Sequence, residues 1–136
     1  FNIGSIVRTA NALGVSKVHI VGRRRWNRRG AMVTDRYLNV VHHPTVEDFA
    51  RDVEGRMETI IGIDNLPGST PIEEAFFPQA TVLVMGEESS GLSPEMLQVC
   101  DQVLHITQHG STRSMNVGHA AAIAMYAWGR QQNDVD

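Results

Sequence analysis

A single cysteine in 136 residues, Cys100, rules out an internal disulfide and a thiolate metal cluster, and points to a reducing, cytoplasmic setting. The chain also lacks a long apolar run. Its most hydrophobic stretch, His119 to Trp128, falls well short of the ~20 residues that span a bilayer, so no membrane partner is expected. The amino end lacks the basic-then-apolar pattern of a signal peptide. No G-x-G-x-x-G follows any strand-like segment, which makes a dinucleotide-dependent enzyme a poor reading. Lysine is nearly absent, one residue against 11 arginines.

What is present is a core-forming composition, 42% hydrophobic and 20% charged, sized for one globular domain over residues 1–136. The net charge of -3 argues against a surface that coats nucleic acid generally. Yet five arginines, Arg23, Arg24, Arg25, Arg28 and Arg29, crowd into "RRRWNRR" around Trp26. Such a patch on a mildly acidic body suits a directed anionic contact, and equally a solvated loop.

Apolar residues Ile3, Ile6, Val7, Ala10 and Leu13 have helical spacing, with Asn2 before them as an N-cap and Gly14 after. "KVHIV" (17–21) reads as a strand; a short helix at 35–38 and an extended piece at Val40 and Val41 follow. Thr45 opens a helix "TVEDFARDVEGR". "TIIGI" (59–63) is a strand, "DNLPGSTP" is turn chemistry, and 72–77 fits one helical turn. "TVLVM" (81–85) looks like a strand buried on both faces. Ser93 and Pro94 start a short helix, "QVLHIT" (102–107) is a strand, and a long helix runs from about Asn116 to Gln131. Strands alternating with helices predict an α/β domain with a mostly parallel sheet covered on both faces. The chain begins at a helix, so the first strand of such a domain is expected to be missing from it.

In open α/β sheets, ligands bind beyond the carboxyl ends of the strands, and three polar loops lie there. In the first, Asn2 and Arg8 stand nearly two helical turns apart and each, alone, reads as easily as a cap or a solvated side chain. In the second, Gly86 lets a backbone or a ligand approach the strand end, Glu88 offers a carboxylate and Gly91 permits a tight return. The third, Gly110 to Asn116, crowds Ser111, Thr112, Arg113, Ser114 and Asn116 ahead of the small-residue helix "GHAAAIA".

In order the loops give N-x-x-x-x-x-R-T-A-x-A-L-G, then V-M-G-x-E-x-x-G-L-S, then I-x-x-x-G-x-x-x-S-M-N-V-x-x-A-A-A-I. This combination resembles the SpoU family of RNA ribose methyltransferases within the SPOUT superfamily, over essentially the whole chain. The resemblance implies an α/β domain with a C-terminal trefoil knot, and methyl transfer from S-adenosylmethionine to a ribose 2′-hydroxyl of tRNA or rRNA. Cofactor-binding positions carried over are Met85, Gly86, Ile106, Ser114, Met115 and Asn116. Catalytic positions are Arg8, with Asn2, Glu88, Ser114 and Asn116 around it, and Arg8 and the arginine patch are the RNA contacts. Met115 departs from a more usual leucine, and "ITQHG" from Ile-Pro-Met-x-Gly. Homodimerisation through the first and last helices is implied. No metal is expected; the six histidines offer no ligand spacing stronger than the adjacent His42 and His43. The alternative from a different class is a catalytically silent RNA-binding or assembly factor on the same fold.

Overall fold

The computed structural model describes residues 3–15, 17–21, 39–86, 90–110 and 115–133. The helix expected at 35–38 and the arginine patch lie outside them.

Helix α1 (Ile3–Ala12) buries Val7 and Ala10 as its spacing predicts, and ends where Gly14 turns left-handed at φ +79. Strands β1 (Lys17–Val21) and β2 (Asn39–His43) pair in parallel, Lys17 opposite Asn39. Helix α2 (Val46–Gly55) is capped by Thr45, whose hydroxyl accepts the Asp48 N–H at 3.1 Å, and buries Phe49 and Val53.

A second sheet holds β3 (Thr59–Ile63), β4 (Thr70–Pro71), β5 (Thr81–Met85) and β6 (Gln102–His105) in the order β4-β6-β3-β5, every pairing parallel. The expected turn at 72–77 is a 3₁₀ turn of three residues, Ile72–Glu74. β3 is the strand enclosed on both faces, with Ile60 to Ile63 all buried. β5, expected to be enclosed, buries only Val82 fully because it lies at the end of the sheet. Gly62 answers to packing: a Cβ there would stand 2.7 Å from Leu92 and 3.0 Å from Cys100 Sγ. Burial, with the Asp101 charge beside it, pushes the Cys100 thiol up to about 11, so Cys100 is a protonated packing group.

The order of this sheet positions everything that follows. β6 sits between β3 and β4 although both precede it in the chain. The connection 64–69 therefore passes from one side of β6 to the other. Helix α3 (Pro94–Val99) starts at the Ser93 cap, and helix α4 (Val117–Asn133) packs on α1 and β5. Far along α4, Gln131 accepts from the Phe77 N–H at 2.8 Å and donates to Ala75 at 2.7 Å, while Trp128 donates to the Pro78 carbonyl at 3.2 Å. These contacts pin the helix to segment 75–78. No helix among the described residues is long and apolar enough to cross a membrane.

Neighbouring phenylalanines test this packing. Phe77 is 1% exposed and Phe76 is 76% exposed. Phe77→Ala is expected to lower unfolding free energy by about 3–5 kcal/mol and Phe76→Ala by less than about 0.5, measured by urea denaturation.

Candidate functional site

The carboxyl edge of the four-stranded sheet collects Asp64 after β3, Gly86 after β5 and Ile106 after β6. Met85, together with Leu83 two residues before it on β5, is where the predicted segments meet. It packs against the α1–α4 cluster of Val7, Ala10, Ala121 and Met125, and also against the β3–β6 cluster that contains Leu104 and Ala124. The first helix, the second loop and the helix of the third loop thus share one junction.

Around that junction, Ile106 is half-buried against the β3–β6 cluster, and Met115 is half-buried ahead of α4. Arg8 is exposed on α1. Asn116 caps α4: its side-chain oxygen accepts the His119 N–H at 3.2 Å, and its carbonyl accepts from Ala120 at 2.9 Å. Gly118 keeps that cap in place, since a Cβ there would stand 3.1 Å from the Asn116 oxygen. Asn2, Glu88, Ser114, Arg23, Arg24, Arg25, Arg28 and Arg29 lie outside the described residues.

Gly86 serves a backbone approach: a Cβ there would meet the main chain of Gly91 and Leu92 at 2.6–2.8 Å. Gly91 makes the tight return at φ +71, and its Cα hydrogen points at the Asp64 carboxylate, which a Cβ would strike. Asp64 was read in the sequence only as part of a turn. Its carboxylate accepts the Leu92 N–H at 3.0 Å and the Asn65 N–H at 2.9 Å, holding the second loop against the end of β3. Only the fold brings residues 28 positions apart together here, so no local pattern could have singled Asp64 out.

On the outer surface, Arg8, Thr9, Ala12 and Leu13 of the first helical segment and Ala122, Ile123 and Tyr126 of α4 line a shallow apolar hollow. Ile123 and Tyr126 are 41% and 55% exposed, large apolar surface beside the predicted catalytic arginine.

A second polar cluster lies elsewhere. His43 is partnered not by its neighbour His42 but by His19 on the adjoining strand, ring nitrogen to ring nitrogen at 2.9 Å, with Asp52 at 3.8 Å from His43. Burial, with help from the neighbouring His43 and Lys17, lowers His19 to about 4, so its imidazole is neutral near pH 7. At Asp52, desolvation pulls the carboxyl upward, but the Arg56 hydrogen bond and charge prevail and hold it below the usual carboxylate range.

A statistical description of the SpoU rRNA Methylase family matches residues 1–126. The chain belongs to this family. It is 29% identical to the tRNA (guanosine(18)-2′-O)-methyltransferase of Escherichia coli K12 over 136 residues, 98% of this chain and 59% of that enzyme. The fold superposes on the A. aeolicus TrmH/SpoU tRNA modifying enzyme with TM-score 0.86 and 26% identity, covering 98% of this chain and 70% of that one. It also superposes on the SpoU methyltransferase AviRb of Streptomyces viridochromogenes, solved with AdoMet, at TM-score 0.87 and 30% identity, over 96% of this chain and 55% of that one. The chain therefore spans about six-tenths of the length of the E. coli relative. The mostly parallel α/β architecture expected from the alternation of elements is the architecture of these SpoU structures.

The loop contact gives a direct test. Gly86→Ala is expected to destabilise the SpoU domain by about 1–3 kcal/mol, because the methyl can be accommodated only by moving backbone at Gly91 and Leu92. Thermal unfolding of the two proteins side by side measures it.

Proposed function

We propose that this chain is the catalytic domain of an RNA methyltransferase that moves the methyl group of S-adenosylmethionine to a ribose 2′-hydroxyl. The observation that carries the reading is the Met85 junction, where β5, α1 and α4 meet, in a chain whose family match runs from residue 1 to 126. Half-buried Met85, Ile106 and Met115 fit an apolar wall for an adenine, and the backbone around Gly86 fits its polar edge. The bound cofactor would supply an electrophilic methyl on a sulfonium.

The domain's own groups must then bring the hydroxyl into line with that methyl and ease loss of its proton. A guanidinium offers donors and no acceptor, so the role of Arg8 in this reading is to hold the RNA phosphate and orient the hydroxyl. Glu88, Ser114 and Asn2 complete the constellation, with Asn116 setting the start of α4. Arg23, Arg24, Arg25, Arg28 and Arg29 supply further phosphate contacts, with Trp26 to stack on a base. The passage of 64–69 across β6 supports the deep knot that the reading requires; in that knot the chain beyond Ile106 would be drawn through the crossing. Two copies joined through the apolar hollow would set Arg8 of one at the seam with the other, so that a dimer forms the working site.

In the full-length protein, Arg8→Ala is expected to lower transfer of labelled methyl to RNA by about 100-fold or more while leaving S-adenosylmethionine affinity within about twofold. Transfer at the unaltered rate would sink the role given to Arg8. A folded protein with no cofactor affinity by calorimetry would favour the silent RNA-binding factor instead. Tyr126→Asp is expected to convert a dimer to monomer in sedimentation velocity and to abolish transfer with it.

A further inference from the structure

We infer that His19, His43 and Asp52 form a binding site for one divalent transition-metal ion of the zinc type, separate from the methyl-transfer site. Their ligand atoms lie within 4.8 Å of one another. They come from three elements, the middle of β1, the end of β2 and the second half of α2. Two imidazole nitrogens and one carboxylate oxygen are a donor set that suits zinc and its neighbours, with a fourth position for water.

The local geometry puts the three donors within reach of a single ion. The rings are near-coplanar, 19° apart, with centroids at 5.1 Å and facing nitrogens at 2.9 Å, so they meet edge to edge. In the metal-free protein one ring donates its N–H to the lone pair of the other. An ion replaces that proton once the donor ring shifts to its other tautomer, which places the proton on its far nitrogen without net release. Two nitrogens on one tetrahedral zinc at 2.0–2.1 Å stand about 3.3 Å apart, so the rings need to part by about half an ångström and each to turn by roughly 35° to aim its lone pair at the ion. Phe49 sets an edge against both rings, at 5.4 and 5.6 Å, and walls the cluster on its apolar side. Arg56 holds Asp52 by Oδ1 at 3.2 Å, while Oδ2 faces His43. Lys17 and Arg56 are the nearby cations and weaken the site's hold on an ion; the Asp52 charge opposes them.

The site would clasp β1 and β2 to α2. That gives it a consequence for stability that does not depend on the methyl-transfer reading.

The test uses full-length protein stripped with a chelator, then titrated with Zn²⁺ by calorimetry and with Co²⁺ by visible absorption. One ion per chain is expected, with tetrahedral-type Co²⁺ bands and a raised thermal midpoint. His19→Gln and Asp52→Asn are each expected to weaken binding at least tenfold, and His42→Gln, on the exposed neighbour, to leave it unchanged. Asp52→Asn lies on a helix surface and keeps the test open if His19→Gln does not fold. No stoichiometric binding by the unaltered protein would reduce the cluster to an imidazole pair and overturn the inference. Undiminished affinity in Asp52→Asn or in folded His19→Gln, or equal loss in His42→Gln, would also overturn it.

Discussion

The arrangement depends on one strand reaching its place late. β6 forms after β3 and β4 in the chain yet lies between them, with Leu104 opposite Ile63 on one side and Thr70 on the other. Leu104 is fully buried, and its carbonyl accepts the Asp64 N–H at 2.9 Å. Parallel neighbours of this kind need crossover connections, and here one of them, 64–69, must bridge over a strand laid down later. Closing such contacts draws on long loops and little local structure, so the sheet is made by non-local pairing.

Each feature of the carboxyl edge follows from that placement. The bridge begins at Asp64, whose carboxylate catches Leu92 and so fixes the loop after β5. Gly86 and Gly91 are small because this loop folds back onto the strand end at backbone distance. The chain leaving β6 passes Ile106 and Met115 before Asn116 starts α4, and α4 then returns over Met85 to α1. The polar crowding ahead of an apolar helix, puzzling in a linear reading, marks a loop whose far end is anchored: α4 is fastened at its tail by Gln131, Gln132 and Trp128 to segment 75–78.

The two halves of the described structure differ in what holds them. The four-stranded sheet is closed by aliphatic packing around β3 and Phe77. The β1–β2 pair meets α2 through a polar contact walled by Phe49, where two imidazoles and a carboxylate converge. Buried polar groups of this sort hold a packing arrangement only when their partners are satisfied, which is why a neutral His19 matters to that half of the domain.

Local chemistry was legible in the sequence. The Thr45 and Ser93 caps, the glycine end of α1, the strands 17–21, 59–63 and 81–85 and the bounds of α4 all rest on side chains within a few residues of one another. The motif residues could be named because their order along the chain is itself the signal. What only the tertiary structure decided involves partners far apart: β6 between β3 and β4, Asp64 against Leu92, and His43 with His19 instead of His42. The enclosed strand proved to be β3, not β5, because enclosure depends on a strand's place in the sheet, whereas composition records only that a strand is apolar. Periodicity and capping act over one or two turns of chain. Strand order and side-chain convergence are set by which surfaces meet once distant segments have packed, and no short stretch of sequence carries that information.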